Sequence, residues 1–332
     1  MKKITLFVFL FCSIVTYAQV LGYKKEKLYY FITSDSLVGV RNQVNKIVIT
    51  PRLAMYFNNN LTKNDCKKEI KENLIYMDLQ NNEKQEPHSC GAVYNRTGEF
   101  LFAPFLFDNG PDYVVEGLMR FVKNGKVGFA NYKTGDIVIE AKYDFAEPFN
   151  YGISSYCNGC TWKSKGEHQF VTGGIAGYIN RNGQELVILT KPTSSKDQII
   201  NSAKYIPYQF TYNLFEQKII DSFYKMNVIS KATFVNYYNK LDSNENKLYY
   251  EIVERPSISF PYYKIDPFRF SNRNGFYNIS DDLLFYVSAD GKKYYNSQIF
   301  NNKLIPLEKW LKKYIHDAKV FLATHKDAPN PF

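Results

Sequence analysis

The sequence predicts a mainly β protein, in which an array of β-hairpin repeats is followed by a smaller α+β C-terminal domain. Three observations lead to this prediction. Aromatic residues make up 17% of the 332 residues, with 28 Tyr and 26 Phe, and these side chains favour pleated strands. Segments with tight-turn dipeptides recur through the first half of the chain. After Val187 this spacing stops, and helical and strand patterns alternate.

The N-terminus has the layout of a secretory signal peptide over residues 1–18. Lys2 and Lys3 precede an apolar run at residues 4–15, and Ala18 offers a small residue for cleavage before Gln19. An uncleaved N-terminal anchor is the alternative. The run is short for a membrane span, and no later stretch approaches 18 apolar residues, so no transmembrane segment is predicted in the mature chain. We therefore expect an exported protein, located in the periplasm, the outer envelope or outside the cell.

The charge distribution excludes one class of partner. The formal net charge is +10, but the basic residues occur mostly singly or in pairs and form no concentrated patch. Export also separates the protein from nucleic acid. No nucleic-acid partner is therefore predicted.

The clearest repeat unit spans residues 117–149. Asn124-Gly125 is a two-residue hairpin turn, Thr134-Gly135 is a second turn, and an aliphatic run at residues 137–139 follows. Related segments begin at Gly39, Gly91 and Gly177. We expect the repeat glycines to build turns and stack one hairpin on the next. These structural glycines are Gly98, Gly125, Gly128, Gly135, Gly177 and Gly183.

This unit resembles the WG-repeat family of bacterial proteins, whose repeat contains Trp-Gly, a turn glycine, an aliphatic run and Tyr-Asp. Val127 precedes Gly128 where the family has its Trp, and Tyr143-Asp144 closes the unit. The other copies lack the Trp too, so all are divergent. The resemblance covers roughly residues 28–190. It implies a β-hairpin repeat array, often exported, without common catalytic residues.

The second half is predicted as an α+β domain at residues 196–325, after a polar linker and before a tail at residues 326–332. Asp290-Gly291 favours a hairpin. A C-terminal helix begins near Pro306, and its lysines form a solvated face, with membrane-surface binding as the alternative. A further helix is indicated by apolar residues at helical spacing, which are Tyr212, Phe215, Ile219, Phe223 and Met226.

Four cysteines remain after removal of the signal peptide, an even number in a compartment that permits disulfides. Sequence proximity favours Cys66 with Cys90 and Cys157 with Cys160. The Cys157-x-x-Cys160 pair is interpreted first as a structural disulfide, with half of a zinc site and a redox dithiol as alternatives. The insertion that follows is a possible contact loop through Trp162, Lys163 and His168.

The chain contains no triad, paired-carboxylate, HExxH or phosphate-loop signature. No catalytic residue, metal site or cofactor is therefore predicted. The leading hypothesis is an exported, non-enzymatic binding or scaffolding protein that presents its β-repeat surface to a protein or a cell-envelope glycan. The first alternative is an enzyme, with chemistry in the C-terminal domain or thiol–disulfide exchange at Cys157/Cys160. A structural envelope protein without a discrete ligand is the third possibility.

Overall fold

The computed structural model describes residues 26–79, 85–108, 110–166, 168–201, 204–237, 247–257, 260–279, 283–297 and 303–332. The predicted signal peptide at residues 1–18 lies outside this part of the chain. The fold is mainly β, with 44% strand and 15% helix, which confirms the predicted fold class. No described helix is both long enough and apolar enough to cross a membrane.

The chain divides into two compact units. The described part of the first unit covers residues 26–51 and 61–71, and the second covers residues 52–60 and 72–332. The first unit is a three-stranded antiparallel sheet in the order β1-β2-β3, with a short 3₁₀ turn at Asp65–Lys67. Its strands are β1 (Leu28–Ile32), β2 (Val38–Asn42) and β3 (Ile47–Arg52).

The second unit begins with a six-stranded sheet in the order β11-β10-β9-β6-β5-β4. Pairing of β6 with β9 joins two consecutive repeat copies into this one sheet. The small pair β7–β8 connects them. The strands are β4 (Leu74–Met77), β5 (Ala92–Asn95), β6 (Phe100–Pro104), β7 (Leu106–Phe107), β8 (Gly110–Pro111), β9 (Leu118–Lys123), β10 (Lys126–Asn131) and β11 (Ile137–Tyr143).

The last repeat copy forms a three-stranded sheet in the order β12-β13-β16, and a two-stranded hairpin, β14–β15, is inserted into it. A second two-stranded sheet, β17–β18, leads into the C-terminal half. These strands are β12 (Phe145–Ala146), β13 (Ile153–Asn158), β14 (Thr161–Lys165), β15 (His168–Thr172), β16 (Ile175–Asn180), β17 (Gln198–Asn201) and β18 (Lys204–Ile206).

All four copies share one turn chemistry. In the clearest copy, the Asn131 side-chain oxygen accepts hydrogen bonds from the backbone N–H groups of Lys133 and Thr134. Asn42, Asn95 and Asn180 bind the residues that follow them in the same way. An asparagine that bonds the backbone two residues on nucleates a turn without help from the rest of the fold. This explains why the copies are visible in the sequence.

The signature glycine lies within a strand and not in a turn. Gly128 pairs with Phe121, and Gly177 pairs with Tyr156, directly across the ladder. A glycine opposite an aromatic residue leaves room for the ring to cover the backbone. In the copy predicted to begin at Gly91, the structure corrects the register by one residue. There Ala92 occupies the glycine position and faces Met77, so no ring has to be accommodated.

The closing Tyr-Asp pair joins the core of the repeat to its hairpin. Tyr143 is buried and its ring lies 4.6 Å from that of Tyr156. The Asp144 carboxylate accepts hydrogen bonds from Lys126 Nζ at 2.5 Å and from the Gly159 N–H at 2.6 Å. These bonds hold the pKa of Asp144 below its ordinary value, with the Lys126 bond the largest cause.

The C-terminal half consists of a sheet, ordered β19-β20-β22-β23-β24 with β21 also on β20, and three helices. As the apolar spacing predicts, the first helix buries Ile219 and Phe223, and Asn213 begins it with a capping box. The helices are α1 (Leu214–Lys225), α2 (Val228–Tyr237) and α3 (Leu307–Thr324). The strands are β19 (Tyr249–Glu254), β20 (Tyr262–Ser271), β21 (Gly275–Asn278), β22 (Leu284–Ser288), β23 (Tyr294–Ser297) and β24 (Leu304–Pro306).

An aromatic cluster connects the repeats to this half. Tyr151, in the turn before β13, is buried among Phe210, Phe268 and Phe276, and its ring stacks on Phe276 at 4.2 Å. The Asn150 side chain donates to the carbonyl oxygen of Phe276 at 2.9 Å. The predicted domain bounds, 28–190 and 196–325, stay a prediction, and these contacts cross the segment between them.

Candidate functional site

Two repeat turns and the C-terminal half enclose a cleft of about 380 Å³ within the second unit. Asn131, Lys133 and Thr134 come from the turn after β10, and Asn180, Arg181 and Asn182 come from the turn after β16. The opposite wall consists of residues 209–212 and 252–255 together with Ser257. A concave volume of this size suits a small ligand or one segment of a larger one.

Two further turns form the base of the cleft, and both contain residues with positive φ. Glu116 and Gly117 have φ values of 50° and 80°, and Tyr151 and Gly152 have values of 55° and 76°. A side chain at Gly117 would contact Glu254, since a Cβ placed there lies 2.7 Å from Glu254 Cγ. Glycine at this position therefore lets the repeat backbone approach β19 closely.

The cationic side chains of the cleft are engaged in ion pairs. Lys133 Nζ lies 2.6 Å from Glu254 Oε2 and 3.9 Å from the centre of the Phe260 ring. Arg255 Nε donates to Glu216 Oε1 at 2.6 Å. These contacts fix the two side chains, and each positive charge is balanced by a carboxylate.

Arg181 forms the third ionic contact, with a carboxylate beneath the cleft. Its Nη2 donates to the main-chain oxygen of Glu116 at 2.7 Å, and its Nε lies 3.7 Å from Glu116 Oε2. The Glu116 side chain is fully buried and also accepts from the Gly152 N–H at 3.0 Å. Burial raises the pKa of Glu116 above its ordinary value.

A second buried carboxylate lies behind the wall formed by Tyr212. Glu251 is fully buried and accepts hydrogen bonds from the hydroxyls of Tyr208, at 2.6 Å, and Tyr212. Lys196 Nζ lies 3.5 Å from it. Burial raises the pKa of Glu251, and the tyrosine donors compensate in part for its lost hydration.

The described lining of the cleft offers mainly hydrogen-bonding and ion-paired side chains. None of the described residues that line the cleft is a histidine or a cysteine, so no hydroxyl there has an imidazole base beside it. Across the described residues, no group of three or more His, Cys, Asp and Glu side chains is placed to hold a metal ion. The exposed polar groups of the cleft include the side-chain amide of Asn182, the hydroxyl of Thr211 and the ion-paired guanidinium of Arg255.

The cysteines lie away from the cleft. Cys157 and Cys160 form a disulfide, with their Cα atoms 6.1 Å apart, at the junction of β13 and β14. Cys66 and Cys90 are free thiols, and because they belong to different compact units, the predicted Cys66–Cys90 pairing stays a prediction. Cys90 is fully buried beside β5, and burial raises its pKa to about 12.

The predicted contact loop is the hairpin β14–β15. Trp162 is half-buried and anchors it, since its ring stacks on His88 at 4.1 Å and meets Phe145 edge-on at 5.3 Å. Lys163 is exposed and pairs across the hairpin with Phe170. His168 begins β15. Lys163 and Phe170 are both exposed, so this face of the hairpin is accessible.

The predicted turn glycines divide into two groups. Four of them adopt positive φ in turns, namely Gly98, Gly125, Gly135 and Gly183, whereas Gly128 and Gly177 lie inside β10 and β16. The cleft residues Lys133 and Arg181 were missed, although both closely follow a repeat asparagine. Their position in corresponding turns of two copies is the signal that could have identified them.

The fold and this cleft define a class of protein: an array of antiparallel β-hairpin repeats that packs on an α+β half and presents its turns at their boundary. Residues 128–162 match the family model of the WG containing repeat. This confirms the resemblance read from the sequence, and the match begins at the signature Gly128. No curated protein and no solved structure matches the chain.

Proposed function

We propose that this is an exported, non-enzymatic binding protein whose cleft holds a polar segment of a partner, in the first place a cell-envelope glycan. One observation carries the proposal. Turns of two repeat copies, at Asn131 and Asn180, converge with the end of β19 on a single concave cleft, whose polar lining consists of amides, hydroxyls and ion-paired charged side chains. Repeat proteins commonly bind their partners on surfaces built by successive repeats.

The open hydrogen-bonding groups favour a neutral, polar ligand. The side-chain amide of Asn182 and the hydroxyl of Thr211 are exposed, and neither forms a hydrogen bond within the described part of the chain. Lys133, Arg181 and Arg255 are each engaged by a carboxylate. A hydroxyl-rich chain such as a glycan can use the free donors and acceptors without separating these ion pairs. A loop of a partner protein is the other candidate, since its peptide groups offer the same chemistry.

The alternative of a thiol–disulfide enzyme has less support. Cys157 lies at the end of a strand and Cys160 follows a tight turn. A redox dithiol gains its low thiolate pKa from a helix N-terminus or a neighbouring cation. No helix begins at either cysteine, so a structural role for the disulfide fits the surroundings better.

Export is the second part of the proposal. It is supported by the order of Lys2 and Lys3, the apolar run and Ala18, and it places the protein in the periplasm, the outer envelope or outside the cell. N-terminal sequencing of protein recovered from the envelope fraction tests it. The expected first residue is Gln19, and an intact Met1 on that protein would contradict processing.

The binding proposal is tested by cosedimentation of residues 19–332 with insoluble bacterial envelope polysaccharide. The cleft variant is Asn182→Ala with Thr211→Ala. The matched control is Asn274→Ala with Thr161→Ala, two exposed residues outside the cleft.

Wild type and control should bind equally, and the cleft variant should bind about tenfold more weakly, since two hydrogen bonds contribute about 1–3 kcal/mol together. If the wild type does not bind, the proposal of a glycan ligand is contradicted. If both variants lose binding equally, the proposal that the cleft is the binding site is contradicted.

A further inference from the structure

A second concave site lies in the C-terminal half and shares no lining residue with the cleft. It has a volume of about 690 Å³. Its walls are the end of α1, the segment from the β22–β23 turn into β23, and the start of α3. We call it the lysine groove.

The floor of the lysine groove is apolar and continuous with the core. Leu307 is buried in the core of the C-terminal half, and Met226, Tyr294 and Leu311 pack against that same core. Tyr295 and Pro306 complete the floor. Because it is the outer layer of a packed core, the floor is held in shape before any ligand binds.

The rim of the lysine groove is positively charged. Lys225, Lys292 and Lys293 line it, and no acidic side chain of the described chain lies within ion-pair distance of their ammonium groups. Glu308 also lines the groove, but its carboxylate is bound by Lys312 at 2.8 Å. Asp290, near Lys292 in the sequence, uses its carboxylate within the turn, where it accepts from the Ser288 hydroxyl and the Lys292 N–H.

We propose that the lysine groove binds a single-chain amphiphile with an anionic head group. The apolar tail of this ligand covers Met226, Tyr294 and Leu311, and its head group contacts the three lysines. An anion without a chain would leave the floor in water, and a neutral chain would leave the lysines without a counter-charge. Charge complementarity and the apolar floor therefore select the same kind of molecule.

The size of the groove favours a small molecule over a protein. Its volume falls within the range of about 300–1,000 Å³ that is typical of ligand pockets. A stable protein interface needs about 800 Å² on each partner, more surface than the few side chains of this groove provide.

The test is calorimetric titration of residues 19–332 with four probes below their micelle concentrations: octanoate, 1-octanol, octylammonium and acetate. Octanoate should bind most tightly, octanol more weakly, and octylammonium and acetate at least tenfold more weakly than octanoate. Lys292→Gln with Lys293→Gln should weaken octanoate binding about tenfold and leave octanol binding unchanged, because only the anion uses the charges.

The matched control is Lys309→Gln with Lys313→Gln, which removes two exposed charges of α3 that do not line the groove. It should bind octanoate as the wild type does. Met226→Ala should weaken octanoate and octanol alike, and thermal melting verifies that each variant is folded. The proposal is overturned by a wild type that does not bind octanoate, by equal binding of octanoate and octanol, or by equal effects of the two lysine pairs.

Discussion

At the residue scale, Arg120 shows how a charged side chain can form part of a repeat core. Its guanidinium is buried and makes a two-point contact with Asp112, at 2.6 and 2.9 Å. A third bond reaches the carbonyl oxygen of Ala146 at 2.7 Å, and the Phe105 ring lies 4.2 Å away. One side chain thus joins β9 to the segment that follows β8 and to β12.

We expect Arg120→Ala to lower the free energy of unfolding by about 3–5 kcal/mol, because it leaves the Asp112 carboxylate buried without a partner. Replacing both residues, as Arg120→Met with Asp112→Leu, should recover most of that loss. Urea denaturation measures both changes.

The exposed pair Glu308–Lys312 is the comparison. Its loss in Lys312→Ala should leave the free energy of unfolding almost unchanged, because both side chains are exposed to solvent. If Arg120→Ala were as mild, the ion pair would have no structural importance.

At the element scale, the signature glycine is required by close approach across the sheet. A Cβ at Gly128 would lie 2.6 Å from the Ile139 carbonyl oxygen and 2.7 Å from the Ala141 nitrogen, both backbone atoms of β11. At Gly177 the nearest atoms belong only to the Tyr156 side chain, at 2.7 Å or more. Backbone in a paired strand moves less easily than a ring.

We therefore expect Gly128→Ala to destabilise the protein by about 3 kcal/mol or more and Gly177→Ala by about 1–2 kcal/mol. Thermal and urea unfolding of the two variants test this order. Ala92→Gly is the converse control, since it should cost only the backbone entropy of a strand glycine, about 0.5–1 kcal/mol. Equal costs at Gly128 and Gly177 would contradict the steric explanation.

At the scale of the whole molecule, Tyr151 couples the repeats to the C-terminal half. Its ring contacts Phe210, Phe268 and Phe276. Tyr151→Ala should destabilise the second unit by about 3–5 kcal/mol, the cost of removing a large buried aromatic side chain.

Hydrogen exchange followed by mass spectrometry is the measurement. In the variant, amides of β13 and of β20 should lose protection together. Loss confined to the repeats would mean that the two halves unfold independently, as the predicted linker implies.

A second prediction for the whole molecule concerns how its stability depends on pH through the buried tyrosines. Burial raises the pKa of Tyr76 from 10.0 to about 12, and the hydrogen bond to Glu185 is the largest cause of a similar rise for Tyr156. Because the folded-state pKa is above the unfolded value, this stability is intact below pH 10 and is lost as the pH rises from 10 towards 12.

The free energy of unfolding, measured by urea titration between pH 9 and pH 11.5, should therefore fall steeply above pH 10. Each such tyrosine contributes up to about 1.4 kcal/mol per pH unit. Tyr76→Phe should make the fall shallower. A stability that is flat to pH 11.5 would contradict the prediction.

Local patterns determined much of this fold. Asn131 and Gly135 set their turn through hydrogen bonds and backbone conformation that involve only neighbouring residues. The apolar spacing around Ile219 and Phe223 was enough to predict α1. The mainly β class and the resemblance of the clearest repeat to the WG-repeat family could be predicted from such local patterns. Both depend on backbone dihedral preferences and on side-chain periodicity, which neighbouring residues determine.

Only the tertiary structure decided the register of the second copy and the site. Ala92 occupies the position of the signature glycine and pairs with Met77, and nothing within the copy identifies that partner. Lys133 meets Glu254 across 121 positions of sequence, and Glu116 is buried beneath Arg181. The cleft joins repeat turns to a wall from the other half, so its existence depends on packing between distant segments, which turn chemistry and periodicity do not encode.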